Sequence, residues 1–451
     1  MTHERRHSTT LYSVERDASN RPHTCARALS LMHVARGARA TTMALTAACL
    51  ASPLASRRAS ADDASHSRVA KPPGDVAALE RVQLMFRHGD RTPITATAED
   101  CDGANATWSS LTLDAERSRA LARRGDVRES WRDKLYHRGL AWEGQLTTRG
   151  AAQMHALGRE IIREWLIERC GFLSGDFARV VRDGEVKVRS TAVKRCVQSA
   201  QSALAGGWDD ESDDASAQLE IEVREKERES MFPKPGSACE RLSVLFKEAY
   251  EPAEHASREA FANAPHLARI RDGMEAQRNT RAGLTMVWDP LQCRVNHGMA
   301  LPEGVRESDV AELLTMMERR HFTFFSDADA ASLVGGRLLR EICEEMVSPE
   351  KVKLCIYSGH DSSLIALFAA LGVLGEGVRE WPKTASSLIF ETWRMRDGTR
   401  SVRAVYNGQP LMLTSTSRAS DGLTPYDDFK AFVDSRVPSD FAAACRVPSK
   451  L

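Results

Sequence analysis

The sequence predicts an α/β fold in which a mostly parallel sheet is flanked by helices and carries an inserted, mainly α-helical cap. Short apolar strands alternate with helical segments, a pattern typical of parallel sheets that helices cover on both faces. The middle of the chain is helical and charged and has no strong strand signal. At 451 residues the chain is also longer than one ordinary domain, so we expect a large insertion or a second domain.

Four short apolar runs have strand character. They are Arg81–Phe86, Val186–Val188, Leu354–Tyr357 and Ser387–Trp393. The segment Ser401–Val405 is expected to form a hairpin with the last of these strands. Helical periodicity is found in three segments, at Gly150–Arg169, after Thr191 to about Leu204, and after Asp361 through Leu371. Ligands in such folds bind outside the carboxyl ends of the strands.

These elements divide the chain into four predicted parts. Residues 1–75 are a targeting or disordered segment, residues 76–208 and 341–430 form the α/β core, and residues 209–340 form the helical cap. Residues 431–451 are predicted to be a C-terminal tail. The cap begins with the acidic run Asp209–Asp214, which lacks apolar residues and is predicted to be a solvated linker.

The N-terminal segment has the composition of a targeting sequence. It has no acidic residue between Asp17 and Asp62, and arginines recur in a background of Ala, Ser and Thr. One interpretation is a transit peptide to an organelle, either the mitochondrion or a plastid. The alternative is a secretory signal whose core is Met43–Ala51, which would lead to a lysosome-like compartment. We place the transit peptide first because this apolar run is short and flanked by arginines; an uncleaved disordered tail is the third interpretation.

Composition argues against several classes of protein. Apolar residues make up 42% and charged residues 27% of a chain with zero formal net charge, which is typical of a soluble globular protein and not of a nucleic-acid coat. The ten cysteines are scattered and form no C-x-x-C pair, which argues against a structural zinc site and leaves disulfide pairing open. No apolar run is long enough to span a bilayer, so no integral membrane segment is expected in the mature chain. The sequence does not define the oligomeric state.

Polar clusters follow three of the predicted strands. They are Arg87-His88-Gly89-Asp90-Arg91-Thr92-Pro93, Arg189-Ser190-Thr191 and His360-Asp361. If they meet at one edge of the sheet, three arginines, two histidines and a carboxylate converge there. Planar guanidinium groups suit a phosphate dianion because they donate two hydrogen bonds each and keep their charge. We therefore expect a small phosphate monoester as the ligand.

Each residue has a predicted role in phosphate ester hydrolysis. An imidazole beside a bound phosphate can attack phosphorus directly, so His88 is the candidate nucleophile and would form a phosphohistidine. Asp361 is the candidate proton donor to the leaving alkoxide. Neighbouring arginines lower the pKa of Asp361, whereas a bound phosphate dianion raises it. Because a protonated aspartate and a neutral histidine coexist best in mild acid, we predict an acidic optimum.

The clusters differ in how specific they are. Arg189-Ser190-Thr191 alone is weak, since Ser-Thr before a helix is equally an N-cap, and His360-Asp361 alone is also weak. The five fixed positions of R-H-G-x-R-x-P should occur by chance in about one such chain in ten thousand. The set as a whole therefore favours catalysis over a structural role.

The first cluster is similar to the signature of the histidine acid phosphatases, in the larger branch of the histidine phosphatase superfamily. Further segments resemble the same family between Leu79 and Leu413, namely Glu143–Gly150, Val188–Thr191, Asn296–Gly298 with Leu301-Pro302, and Ser358–Asp361. The resemblance implies His88 as nucleophile, Asp361 as proton donor, and a phosphate site formed by Arg87, Arg91, Arg189 and His360. It implies no metal and no cofactor.

The substrate is less well defined. Phe232-Pro233, Cys239 and the long cap look most like the lysophosphatidate and general acid phosphatases of the family, and Phe322, Phe324 and Phe325 are candidates for a lipid-tail entrance as well as for the cap core. A phytase or sugar-phosphate phosphatase of the same family is an alternative. So are a pseudophosphatase that binds without turnover, a metallohydrolase using His88, His360 and Asp361, and a phosphomutase, whose cap is usually shorter.

Overall fold

The computed structural model describes residues 67–94, 105–136, 142–208, 217–231, 239–268, 270 and 284–447. The targeting segment up to residue 66, the acidic linker and Phe232-Pro233 lie outside these ranges. Within these ranges, nine strands form one sheet in the order β2-β4-β3-β5-β1-β6-β7-β8, with β9 paired to β7. They are β1 (Val76–Arg87), β2 (Gly125–Asp126), β3 (Val186–Ser190), β4 (Leu219–Glu222), β5 (Leu354–Gly359), β6 (Ser387–Met395), β7 (Arg400–Tyr406), β8 (Gln409–Leu411) and β9 (Thr424–Pro425).

The sheet is mixed, which corrects the prediction of a mostly parallel one. The pairs β1–β5, β3–β5, β3–β4 and β2–β4 are parallel. Beyond β1 every pairing among the described strands is antiparallel. Strands β6, β7 and β8 follow one another through short turns, which cannot bring a strand back parallel. The predicted hairpin of β6 and β7 is confirmed. The next turn, between β7 and β8, consists of Asn407 and Gly408. Both have positive φ, 46° and 83°, as a two-residue hairpin turn requires.

Fourteen helices surround the sheet in the part of the chain that the structure describes. Those N-terminal to the cap are α1 (Asn105–Leu111), α2 (Ala115–Leu121), α3 (Glu129–Arg132), α4 (Thr148–Gly158, continued by a π-helix over Arg159–Arg169), α5 (Phe177–Asp183) and α6 (Lys194–Gly207). The remainder are α7 (Glu240–Leu245, continued by a π-helix over Phe246–Tyr250), α8 (Glu251–Asn263), α9 (Leu284–Asn296), α10 (Glu307–Phe325), α11 (Ala328–Glu345), α12 (Asp361–Ala370), α13 (Tyr426–Arg436) and α14 (Phe441–Ala444).

The boundaries predicted for the cap and the tail need correction. Strand β4 lies inside the segment predicted as helical cap, yet it pairs with β3 and so belongs to the sheet. A four-residue strand on its own gives too short a pattern to be distinguished from its charged surroundings. The predicted tail begins within α13, whose Val433 is buried in the core, and Cys445 at its far end is disulfide-bonded to Cys239.

Strand alternation builds a core on each face of the sheet. Val82, Leu84 and Phe86 of β1 point to one face, where α4 and α6 supply the apolar side chains. The intervening Met85 points to the other face, where it packs with residues of α11, α12 and α13. Helices α4 and α6 cross so closely that a Cβ on Gly158 would lie 1.9 Å from the Ala203 carbonyl oxygen. The sheet is thus covered on both faces, and only its edges and strand ends are open to carry a site.

The cap has an apolar core of its own. Phe246 stacks on Tyr250 with ring centroids 4.5 Å apart, and Phe324 of α10 meets both rings edge-on. Phe324 and Phe325 are buried, while Phe322 is half-buried. These phenylalanines therefore hold the cap helices together, which is the second of the two roles considered for them.

Candidate active site

The carboxyl ends of β1 and β5 bring the two histidines together. These strands are parallel neighbours in which Arg87 is opposite Gly359, and the His88 backbone N–H donates to the Gly359 carbonyl over 3.0 Å. His360 follows directly, so its ring lies edge-on to that of His88 with centroids 5.6 Å apart. Both histidines are buried. The predicted meeting of the first and third clusters is therefore present.

The first polar cluster, Arg87–Pro93, is called the signature loop, and the start of α4 holds it in place. A Cβ on Gly89 would lie 2.3 Å from the Gly150 carbonyl oxygen, so only glycine permits this approach. The Thr147 hydroxyl caps α4 by accepting from the Gly150 N–H at 3.0 Å and donates to Asp90 Oδ2 at 2.7 Å. Asp90 Oδ2 also lies 2.7 Å from His297 Nε2, beyond the end of α9. The two segments that resemble the family outside the clusters thus hold the loop in place.

His88 has the form that a nucleophile requires. Its Nδ1 is 2.8 Å from the Gly89 carbonyl oxygen, which can only accept, so Nδ1 carries the proton and Nε2 keeps its lone pair. Burial, together with the positive charges of Arg195 and Arg87, holds the pKa of His88 well below its ordinary value of 6.5. The imidazole is therefore neutral across the mildly acidic range.

His360 is held beside it by a helix start. Its Nε2 is 3.0 Å from the Thr191 hydroxyl at the end of β3, and its backbone N–H donates to the Ser363 hydroxyl at 3.1 Å. Burial and the nearby Arg195 lower the pKa of His360 well below 6.5. The second cluster thus reaches the site through Thr191.

Asp361 is the first residue of α12 and is bound by three donors. Its Oδ2 accepts from Arg87 Nη2 at 2.9 Å and from the Trp381 indole N–H at 3.1 Å, and its Oδ1 accepts from the Ser362 N–H at 2.8 Å. Burial raises the pKa of Asp361, but the charges of Arg87 and Arg91 and the Ser362 N–H outweigh it and bring the pKa to about 2. Asp361 is therefore ionised in the free protein.

The arginines of the signature loop point in different directions. Arg87 Nη1 donates to the Pro382 carbonyl at 2.5 Å. This bond fixes the guanidinium between Pro382 and Asp361. Arg91 Nη2 is 2.5 Å from Asp289 Oδ1, a buried carboxylate of α9. Although burial opposes it, this carboxylate raises the pKa of Arg91 above its ordinary value. Both arginines contribute to the field at Asp361.

Arg189 does not join this group, which corrects its predicted place in the phosphate site. It pairs with Tyr357 in the sheet register and so projects to the face opposite Val188. There its guanidinium bonds to Glu341 Oε2 at 2.5 Å and to Glu229 Oε1 at 2.6 Å. A guanidinium held by two carboxylates on the other face of the sheet has a structural role.

Arg195, on the first turn of α6, takes the position that was assigned to Arg189. Its charge is the largest charged-group contribution to the lowered pKa of both His88 and His360. Arg195 Nη1 donates to the Gly144 carbonyl at 3.3 Å. The Ser199 hydroxyl donates to the main-chain carbonyl of Arg195 and accepts from the Gly89 N–H, so it links Arg195 to the signature loop. The available signal was an arginine in the first turn of the helix that follows Ser190-Thr191. Sequence reasoning missed Asp289 and Trp381, which no local pattern links to the loop. It placed His297 in a segment that resembles the family but gave it no role.

The described residues contain no group of three or more His, Cys, Asp or Glu side chains arranged to hold a metal ion. None of their helices is both long and apolar enough to cross a membrane.

Comparison with known proteins agrees with this geometry. The family described as the histidine phosphatase superfamily (branch 2) matches residues 78–285 and 308–407. The lysosomal acid phosphatase of Homo sapiens is 26% identical over 400 residues, covering 84% of this chain and 83% of the relative. The testicular acid phosphatase of Homo sapiens is 29% identical over 325 residues, covering 69% of this chain and 66% of the relative.

Solved structures show the same fold. The phytase from Citrobacter braakii superposes with a TM-score of 0.54 at 17% identity, covering 82% of this chain and 100% of the phytase. The Hafnia alvei phytase in complex with myo-inositol hexakis sulphate superposes with a TM-score of 0.55 at 16% identity, covering 84% of this chain and 100% of the phytase. The chain therefore belongs to the histidine phosphatase superfamily (branch 2) and is a phosphomonoesterase of the acid phosphatase type.

Proposed function

We propose that the enzyme hydrolyses phosphate monoesters through a covalent phosphohistidine on His88, with Asp361 as proton donor. The observation that carries the proposal is a neutral His88, anchored through Nδ1, that lies among Arg87, Arg91 and Arg195 and beside His360. Guanidinium groups in this arrangement suit the phosphoryl oxygens, and the free Nε2 suits attack on phosphorus.

The reaction takes two steps. His88 Nε2 attacks phosphorus, the P–N bond forms, the P–O ester bond breaks, and the leaving alkoxide takes a proton from Asp361. Asp361 then removes a proton from water, which attacks the phosphohistidine, breaks the P–N bond and releases inorganic phosphate. Arg87, Arg91 and Arg195 compensate the charge that develops on the phosphoryl oxygens in both steps.

The proton for the first step arrives with the substrate. Since the pKa of Asp361 is about 2 in the free enzyme, Asp361 carries no proton at pH 5. A phosphate monoester has a second pKa of about 6 and still carries a proton below it. Once bound, the phosphate charge raises the pKa of Asp361, and the proton passes to its carboxylate. Activity therefore falls above about pH 6, which supports the acidic optimum on different grounds from the sequence argument.

The leaving group provides the test. Asp361→Asn should lose about 10² to 10⁴ in kcat/KM with an alkyl phosphate, whose alkoxide needs a proton. The ratio kcat/KM reports the first step alone, before Asp361 acts as a base on water. The variant should lose far less with p-nitrophenyl phosphate, whose leaving group needs none. His88→Ala, measured beside it, should lose activity with both substrates. Equal losses for the two substrates in Asp361→Asn would remove the proton-donor role, and full activity in His88→Ala would remove the nucleophile.

A broad range of small monoesters is the substrate class that the structure supports best. Phe324 and Phe325 are buried in the cap core, so they offer no lining for a lipid tail. The likeness to phytases is one of fold at 16% to 17% identity. A pseudophosphatase would bind phosphate without turnover. The His88→Ala assay distinguishes it from an enzyme, because a protein without activity has none to lose.

We propose the secretory pathway, ending in a lysosome-like compartment, as the location. The relatives named lysosomal acid phosphatase support this alternative over the organelle transit peptide. The disulfide between Cys239 and Cys445 also supports it, because such bonds persist in oxidising compartments. A tagged full-length chain should be cleaved near its N-terminus and enter the endoplasmic reticulum. Import into isolated mitochondria or plastids would contradict this location.

A further inference from the structure

Trp381 connects the cap to the proposed proton donor. Its indole N–H donates to Asp361 Oδ2 at 3.1 Å, and its backbone N–H donates to Glu318 Oε1 of α10 at 2.8 Å. Its ring meets that of His321, also on α10, edge-on with centroids 4.8 Å apart. The side chain is 9% exposed. One residue therefore touches both the carboxylate and two side chains of a cap helix.

The hydrogen bonds at Asp361 distinguish its two oxygens. Each carboxylate oxygen accepts about two hydrogen bonds. Oδ2 has two donors, Arg87 and Trp381, whereas Oδ1 has one, the Ser362 N–H. Among the described residues, the remaining lone pair is therefore on Oδ1. With both lone pairs of Oδ2 engaged, the proton that is transferred sits on Oδ1.

We propose that Trp381 is a positioning residue for proton transfer. It holds Asp361 so that Oδ1 is the acid, and through its contacts α10 sets the orientation of the carboxylate. This inference rests on the proposed function, in which Asp361 is the proton donor. It assigns a chemical role to a contact between cap and core. Without the indole N–H, Oδ2 would accept from Arg87 alone and would keep a lone pair of its own.

The charged and titratable groups around Asp361 are not altered by a change at Trp381. They come from β1, the signature loop, α6, the start of α12 and α10, and are Arg87, Arg91, Arg195, His360 and His321. Glu318 accepts from the backbone N–H of Trp381, and Glu380 precedes Trp381 in sequence. A neutral donor can thus be removed with all charges kept.

Trp381→Phe is the test, since it removes the indole N–H and keeps an aromatic ring against His321. We expect kcat/KM with an alkyl phosphate to fall about tenfold, as for loss of a hydrogen bond to a charged group. With p-nitrophenyl phosphate kcat/KM should change less than twofold. Because an N–H donor stabilises the anion, its loss raises the pKa of Asp361, so the descending limb of the kcat–pH profile with the alkyl phosphate, which reports the enzyme–substrate complex, should move upward by about half a unit.

Trp288→Phe is the matched control. Trp288 lies 6.2 Å from Trp381, ring to ring, and its indole N–H has no acceptor among the described residues. It should keep wild-type kinetics with both substrates. Equal losses for both substrates in Trp381→Phe, or an unmoved limb, would reduce Trp381 to a packing residue. If Trp381→Phe fails in this way but Asp361→Asn still loses more activity with the alkyl phosphate than with p-nitrophenyl phosphate, only this inference fails. If Asp361→Asn also shows no such difference, the proposed proton donor itself is wrong.

Discussion

Two arginines six residues apart in sequence, Arg189 on β3 and Arg195 on α6, have different roles. Arg189 is on β3, where the side chain of each successive residue changes face, and its guanidinium reaches two carboxylates on the face away from the site. Arg195 is on α6, packed against the signature loop through Ser199 and Gly89. The same charge is therefore structural at one position and available for a phosphoryl group at the other.

These positions can be separated by substitution. Arg195→Ala should lower kcat/KM by about 10² to 10³, the cost of removing one donor to a transition-state oxyanion. Arg189→Ala should change kcat/KM little and lower the free energy of unfolding by about 3–5 kcal/mol, because the buried carboxylate of Glu229 loses its cation, whereas Glu341 keeps Arg224. Steady-state kinetics and urea unfolding of both variants measure the two effects. A kinetic loss confined to Arg189→Ala would reverse the assignment.

At the residue scale, sequence reasoning located the parts of the site that lie at strand ends. His88, His360 and Asp361 follow β1 and β5 directly, so their convergence follows from a parallel pair. Arg189 was misplaced because a strand of five residues does not reveal which face each side chain takes. The contacts of Asp289 with Arg91 and of His297 with Asp90 were missed because the partners are about 200 residues apart in sequence and only the folded chain brings them together.

At the scale of elements, α9 carries one face that is directed at the signature loop. Asp289, Cys293 and His297 recur every four residues, so their side chains lie along one side of the helix and just beyond its end. Asp289 and the Cys293 sulfur contact Arg91, and His297 contacts Asp90. Strands and helices of the core were predictable from apolar periodicity. The antiparallel half of the sheet was not fully anticipated, because strand order is set by contacts distant in sequence.

The Cys239–Cys445 disulfide joins the start of α7 to the end of α14, 206 residues apart in sequence. Closing so long a loop restricts the unfolded chain strongly, so Cys445→Ser should lower the free energy of unfolding by about 3–5 kcal/mol without changing kcat/KM. Cys170→Ser, which alters an exposed free cysteine, is the matched control and should be neutral. Urea unfolding of both variants, with and without reductant, measures this. A Cys445→Ser protein as stable as the control would contradict it.

For the molecule as a whole, buried neutral histidines make stability depend on pH. Burial and the adjacent Arg320 lower the pKa of His321 to about 3, and the pKa values of His88 and His360 are lowered as well. Unfolding returns each to its ordinary value of about 6.5, so the unfolded chain binds more protons below that pH. Each histidine therefore stabilises the fold fully above about pH 6.5, and that stability is lost as the pH falls towards the folded-state pKa.

His321→Asn isolates one of these contributions, since Asn can still donate to the Met317 carbonyl that His321 Nδ1 contacts at 2.9 Å. Between pH 6.5 and 5, the free energy of unfolding of the wild type should fall more steeply than that of the variant. The difference should be about 1.4 kcal/mol per pH unit. Urea unfolding at three pH values in this range measures both slopes. Parallel slopes would show that His321 is protonated in the folded protein.

The proposed reaction requires the phosphoryl group to pass through His88. The most direct measurement is to mix the enzyme with a phosphorus-labelled monoester, quench in alkaline denaturant, and map the labelled peptide. We predict an alkali-stable, acid-labile label on the peptide that contains His88, formed within the first turnover and missing from His88→Ala. Turnover without a labelled intermediate, or a label on any other residue, would contradict the mechanism.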